Sequence, residues 1–321
     1  MIFKGIFKNE INNFIKEKTS LGYKYEREIQ VMKDFDNYTV KNDLTTNILT
    51  KEVVISWIDS HLGVKLITKK HYGDVMREFG KYLNRYDKIS FILPGKYYPA
   101  KSDFKAYIYS EAELKVFFKA VKQNYSLEKI DKQDMVYLIF KLLYTTGMRV
   151  SEVLDIKVKN INFNDQTILL ENTKNDMERL IVLKENVFNE INDYCNKYDK
   201  TLDDYLFTNH KTNKKFKRCM VYANFRIILK LADITYTNHG PRVHDFRHTF
   251  AVHSFKQALN NNVDINVFLP ILSTYLGHQD IYATEKYLHL TNELYPEIRK
   301  TVEIYDNDII PNGKAINYAE L

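Results

Sequence analysis

The stretch HDFRHTF, residues 244–250, sets two histidines and an arginine within five positions. Three chemistries compete for it. His244 and His248 are four apart, the spacing that lets two imidazoles on one helix share a zinc ion. The metalloprotease form needs a glutamate after the first histidine, and that position is Asp245. Arg247 alongside would also raise the electrostatic cost of a bound cation. Packing is the second reading: Phe246, His248, Phe250 and Ala251 could form a core stripe, which leaves His244 and Arg247 unexplained. The third is an oxyanion site. His244 and Arg247 are three apart and point the same way from a helix. A guanidinium gives a phosphate a bidentate charged fork, and an imidazole adds a donor or a proton relay.

HDFRHTF resembles the HxxR box of the tyrosine recombinases, the phage-integrase superfamily. Three other stretches extend the likeness in the family's order. TTGMRVSEVLDI, residues 145–156, resembles the first arginine box and offers Arg149. TKNDMERLIVL, residues 173–183, is similar to the hairpin that carries the family's lysine, here Lys174. LGHQDIYATEKYLHL, residues 276–290, resembles the terminal box, with His278 after Leu-Gly and Tyr287 nine residues later. The resemblance covers about residues 105–290. What precedes it fits the family's core-binding domain by size, helicity and place.

The resemblance implies a site-specific recombinase that cleaves and rejoins double-stranded DNA through a 3′-phosphotyrosine, leaving a free 5′-hydroxyl. It implies no metal and no nucleotide cofactor, a dimer on each core site and a tetrameric synapse. An accessory protein is compatible with it. Type IB topoisomerases share the chemistry but relax DNA as monomers. A catalytically idle DNA-binding regulator would share only the fold.

The residue types suit the reaction in their own right. A phosphodiester is anionic, so its cleavage depends on neutralising charge that builds on the nonbridging oxygens. Arg149 and Arg247 would clamp those oxygens, with His278 as a further donor. Tyr287 would attack; a phenol has an unperturbed pKa near 10, so its proton must be drawn off. His244 is the candidate for that step, and Lys174 could protonate the leaving sugar oxygen. Exchange of the ester conserves its energy for rejoining, which fits a chain with no Walker-type loop and no paired-carboxylate metal motif.

Each residue taken alone has a plainer use. Arg149 could offset a helix C-terminus, Lys174 could be a solvated turn residue, and His278 could cap a turn. Tyr282, four residues after His278, rivals Tyr287 as the nucleophile. Glu152 reads as a buttress for Arg149. His239, His248, His253 and His289 are left to packing or surface, with a hydrogen bond within the site open to His248. Arg247 is expected to be exposed and to contribute little stability.

These residues need a scaffold, and the apolar periodicity supplies one: mainly α with a small antiparallel sheet. Residues 1–87 read as an N-terminal helical bundle, with Phe7, Ile11, Phe14 and Ile15 at helical spacing and Thr50 capping KEVVISWIDSH. Residues 88–109 hold two prolines and a Pro-Gly pair and read as an extended linker. Residues 110–321 read as the catalytic domain with a C-terminal tail. Ser110 with Glu113 forms a capping box. INFNDQTILL and ERLIVL are β-like, and helices are expected near 185–197, 218–231, 242–257 and 264–276. Pro270 predicts an altered helix or an extra turn. Leu290, Leu294, Ile298 and Val302 share a spacing that could dock on a neighbouring protomer. No arm-binding domain is visible ahead of the bundle, so a compact two-domain, transposon- or Xer-like type is expected.

Composition agrees with this picture and does not decide it. The 321 residues carry a net charge of +6. Residues 1–100 hold 17 Lys/Arg against 12 Asp/Glu, residues 101–289 hold 27 against 23, and the remainder 3 against 6. A basic body suits a polyanionic partner whose binding weakens steeply with salt. No run approaches the roughly 18 apolar residues of a membrane span. Two cysteines, Cys195 and Cys219, and no CxxC point to a reducing cytoplasm.

Overall fold

The computed structural model describes residues 3–100, 105–123, 130–171, 178–209, 212, 214–237, 240–278 and 280–294. The chain divides into two compact units, residues 1–104 and 105–321.

The first unit is four helices, α1 (Lys8–Ser20), α2 (Glu26–Lys41), α3 (Lys51–Asp59) and α4 (Leu66–Arg85). Its core is aromatic. Phe35 meets Phe7, Trp57 and Phe79 at centroid distances of 5.3–6.5 Å, and Phe14 meets Phe79 at 5.3 Å. Thr50 caps α3 by accepting from the Val53 amide. Asp36, buried in α2, accepts from the Lys4 and Gly5 amides and ties down the chain start.

The stretch expected as a linker from residue 88 is extended, but its first half packs onto this unit. Ser90 bridges Leu49, the Phe91 amide donates to the Leu49 carbonyl, and Leu93 and Tyr98 are buried. Two α4 glycines make the room: a Cβ on Gly73 would sit 2.8 Å from Leu93 Cδ2, and one on Gly80 2.5 Å from the Phe91 carbonyl oxygen. Proline and glycine composition signals irregular backbone, which need not be solvated backbone.

The second unit starts at α5 (Glu111–Lys122), where Ser110 and Glu113 form the capping box. α6 (Ile130–Thr146) and α7 (Val150–Asp155) follow, then β1 (Ile161–Asn162), β2 (Thr167–Leu170) and β3 (Arg179–Val182). The three strands form an antiparallel sheet in sequence order, with Ile161 opposite Ile168 and Ile168 opposite Ile181. INFNDQTILL is thus two strands, because Asn162 turns the chain by accepting from the Asn164 and Asp165 amides and Gln166 adopts φ 54°. Beyond α8 (Glu185–Lys197), β4 (Thr208–Asn209) pairs with β5 (Lys214–Lys215). The unit then ends in α9 (Arg218–Leu231), α10 (Asp245–Asn260), α11 (Ile265–Leu276) and α12 (Tyr282–Leu294).

α10 is the central element. At its start Phe246 joins Phe117, Phe140 and Phe225 at 5.1–6.2 Å and stacks on Tyr109 at 4.8 Å. Farther along, Ala251, Val252, Phe255 and Leu259 cluster with Leu269, Leu272 and Leu276 of α11 and Tyr287 of α12. Thr249 adds a long-range tie by accepting from the Tyr109 amide at 3.0 Å. Pro270 lies inside α11 without breaking it; the residue is exposed, so the carbonyl it leaves unpaired faces water. Residues 295–321, including Ile298 and Val302, lie outside the described residues, and Leu290 packs on its own unit's core. Among the described residues no helix is long and apolar enough to cross a membrane.

Candidate active site

Two left-handed glycines shape the site. α6 stops at Thr146 because Gly147 adopts φ 63°, where a Cβ would lie 2.5 Å from Phe250 Cδ1. The chain reverses and Arg149 becomes the N-cap of α7. A cation at a helix start opposes the macrodipole, so Arg149 is not placed there for the helix's benefit. Glu152, in the first turn, compensates. Its carboxylate accepts from the Arg149 amide and from Arg149 Nη1, both at 2.7 Å.

The same carboxylate accepts from Arg179 Nη1 at 3.2 Å and Nη2 at 2.7 Å. Burial alone would raise the Glu152 pKa, but the hydrogen bonds and charges of Arg179 and Arg149 outweigh it and hold the carboxyl below its ordinary value. Arg179 opens β3 and lies under the second left-handed glycine, Gly277, where a Cβ would meet its Nη1 at 2.8 Å. One buried carboxylate therefore links the first arginine, the sheet and the turn that leads into His278.

Arg247, in the first turn of α10, is 2 % exposed. Nη1 donates to the Gly147 carbonyl at 2.8 Å and Nη2 to the Leu276 carbonyl at 2.6 Å. Both acceptors belong to helix C-terminal turns, whose dipoles favour a cation. The expectation of an exposed arginine that contributes little stability is thereby corrected: its partners lie 100 and 29 residues away in the chain. Burial, with the Arg149 charge, lowers its pKa to about 10, so it stays protonated at neutral pH.

Tyr287 faces this guanidinium from α12. It is 1 % exposed, and its hydroxyl lies 2.9 Å from His248 Nδ1. Burial raises the phenol pKa, and the charges of Arg247 and Arg149 oppose the rise. Tyr282, at the start of the same helix, is 76 % exposed. His278 follows Gly277, shares a 2.6 Å hydrogen bond between Nδ1 and Thr284 Oγ1, and has its ring 6.2 Å from that of Tyr287. His244 precedes α10, with its ring 4.9 Å from that of His248.

The imidazoles are held neutral. Desolvation and neighbouring cations bring His244 and His278 down to about 4 and His248 to about 3, with Arg247, Lys286 or His244 among the repelling groups. Lys286 Nζ lies 5.4 Å from the Tyr287 ring centre. Such a pocket has two or three permanent cations, neutral donor–acceptor imidazoles and a phenol. It suits a single anionic ester under attack by an alcohol. Among the described residues no three His, Cys, Asp or Glu side chains converge as a metal site.

Comparison with known proteins agrees with this reading. The sequence profile of the phage integrase family matches residues 110–293. The chain belongs to the phage integrase family. The integrase/recombinase y4rB of Sinorhizobium fredii is 26% identical over 317 residues, covering 92% of this chain and 97% of that protein. Tyrosine recombinase XerC of Staphylococcus aureus is 28% identical over 201 residues, 61% of each chain. Among solved structures, the XerH site-specific recombinase bound to palindromic difH substrate, a post-cleavage complex, aligns with a TM-score of 0.64 at 20% identity. That alignment covers 87% of this chain and 79% of the other.

In this integrase-family unit, Arg149, His244, Arg247, His278 and Tyr287 come from three separate stretches and converge on one pocket. Lys174 lies outside the described residues, in the connection between β2 and β3. Glu152 buttresses Arg149 as its RVSE context suggests. Sequence reading leaves Arg179 without a role and opens to His248 a hydrogen bond within the site, which the structure places with Tyr287. His248 is one turn beyond His244, a spacing that zinc ligands also use. Arg179 stands in the quoted TKNDMERLIVL, where nothing local distinguishes it from a surface strand residue.

Proposed function

We propose that this chain is a site-specific DNA recombinase that cleaves and rejoins duplex DNA through a 3′-phosphotyrosine at Tyr287, moving or resolving a mobile element. The observation that carries the proposal is the buried Tyr287 hydroxyl, bonded to His248, lying within the field of the Arg247 and Arg149 charges, with the His278 ring stacked beside it. Arg149 and Arg247 neutralise the nonbridging oxygens, and His278 donates to one of them. Lys174 delivers a proton to the departing 5′-oxygen. Both units supply Lys and Arg to the phosphate backbone. Two protomers act on a core site and four in a synapse, with an accessory protein as a further partner, in the cytoplasm.

The test uses nicked suicide duplexes drawn from the DNA flanking the protein's own reading frame. The wild-type chain should become covalently attached to a 3′ end, and Tyr287→Phe should bind the same duplex without attachment. An adduct that persists in Tyr287→Phe and vanishes in Tyr282→Phe overturns the assignment. Relaxation of supercoils with neither a specific site nor a synapse would move the activity to the topoisomerase class.

A further inference from the structure

Arg179 is an unfavourable residue to bury. Its side chain is almost fully enclosed, Nη1 and Nη2 both donate to Glu152, and its Nε–H has no partner among the described residues. A buried ion pair adds little stability over an apolar pair of similar volume, and an orphaned donor lowers it further. Packing therefore does not account for the arginine, whereas its neighbours do. It shares the Glu152 carboxylate with Arg149, the more exposed of the two guanidiniums. Arg179 also packs against Gly277, where a Cβ would sit 2.8 Å from Nη1 and 3.2 Å from Cζ. Arg149 Nη2 donates to the carbonyl of that same glycine at 3.4 Å. Arg149, Glu152, Arg179 and Gly277 thus close a ring of contacts.

Resting on the recombinase reading above, we infer that Arg179 is a positioning residue of the phosphate clamp, neutralising Glu152 so that this carboxylate can hold Arg149 without cancelling the charge Arg149 presents to the phosphodiester. Charge balance carries the argument. A carboxylate bonded to Arg149 alone would make a closed pair with no net charge, and its oxygens would repel an arriving phosphate. Arg179 brings a second permanent cation to the same two oxygens, so two guanidiniums and one carboxylate keep a single positive charge in surplus. Arg179 is enclosed, which leaves that surplus to Arg149. Burial pushes the Glu152 pKa up, and Arg179, ahead of Arg149, brings it back down, so the bridge stays ionised. Gly277 adds a second consequence. Arg179 fills the space against this left-handed turn and so sets the carbonyl that Arg149 meets and the start of the His278 segment. Arg179 acts through Arg149 and this turn, and not by touching the ester.

A cycle of charge removals tests this: wild type, Glu152→Gln, Arg179→Met and the double variant, with Arg179→Lys beside them. Single-turnover attachment to the nicked duplexes is measured at saturating DNA, normalised to the binding-competent fraction. Arg179→Met leaves Glu152 paired with Arg149 alone. It should slow attachment by about 10²-fold, the lower end of what losing an oxyanion donor costs. DNA affinity should change little, because many phosphates share the binding. Adding Glu152→Gln removes the uncompensated negative charge, so the double variant should attach faster than Arg179→Met. Arg179→Lys keeps the charge without the fork and should recover most of the wild-type rate. A merely structural arginine predicts the opposite order, since each further loss from the buried cluster would slow attachment again. Attachment by Arg179→Met at the wild-type rate, a double variant no faster than Arg179→Met, or a lysine variant no better than the methionine one overturns the inference. Absence of any adduct with the wild-type chain would instead defeat the recombinase reading.

Discussion

Replacing Glu152 with glutamine tests the carboxylate that joins three parts of the site. The side chains of Glu152 and Arg179 are 6% and 8% exposed, and that of Arg149 is 23% exposed. Removing the charge leaves Arg179 buried opposite a neutral amide. Losing one partner of a buried pair costs about 3–5 kcal/mol, and about 3 kcal/mol is expected here because glutamine keeps one acceptor. For a unit of this size that corresponds to a fall of about 6–12 °C in its melting midpoint. The sign with pH follows from the depressed carboxyl. Its stabilisation is complete above the unfolded value near pH 4.3 and is lost as pH falls through the lower folded value. Urea unfolding of wild type and Glu152→Gln from pH 8 to 3 should therefore show a constant gap down to about pH 5 that closes below about pH 4. A loss under about 1 kcal/mol at neutral pH, or a gap that stays open in acid, would refute the reasoning.

Two further outcomes are expected. Gly277→Ala places a Cβ in the left-handed region and 2.8 Å from Arg179 Nη1. It should destabilise the unit by about 1–2 kcal/mol and slow attachment by displacing the turn that holds His278; chemical unfolding beside single-turnover assays checks both. Lys174→Ala should cleave slowly on ordinary DNA and recover on a duplex whose leaving 5′-oxygen is replaced by sulfur, since a thiolate departs without protonation.

Most of the scaffold of the second unit is legible in the sequence because its helices bury one face and stop at strong signals. α8, α9 and α11 lie where 185–197, 218–231 and 264–276 were read, and Gly147 and Gly277 end helices as left-handed caps. Less legible are features whose cause lies far away in the chain. Arg247 reads as a surface cation until the Gly147 and Leu276 carbonyls arrive from other helices. His248 gains meaning only from a tyrosine 39 positions later. Arg179 looks like a solvated strand residue until Glu152 arrives from α7 to meet it. Leu93 and Tyr98 sit among loop-forming residues, and only the glycines of α4 explain why they are buried. Local pattern fixes elements; which side chains share a pocket depends on contacts no window spans.

The burial of Arg247 bears on how such a protein can age. Because this guanidinium also staples the ends of two helices, a lineage that discards it loses packing together with chemistry. Decay into an inert DNA-occupying protein must then begin elsewhere. The mildest route is loss of the Tyr287 hydroxyl, which would leave the packed ring and the neighbouring arginines in place.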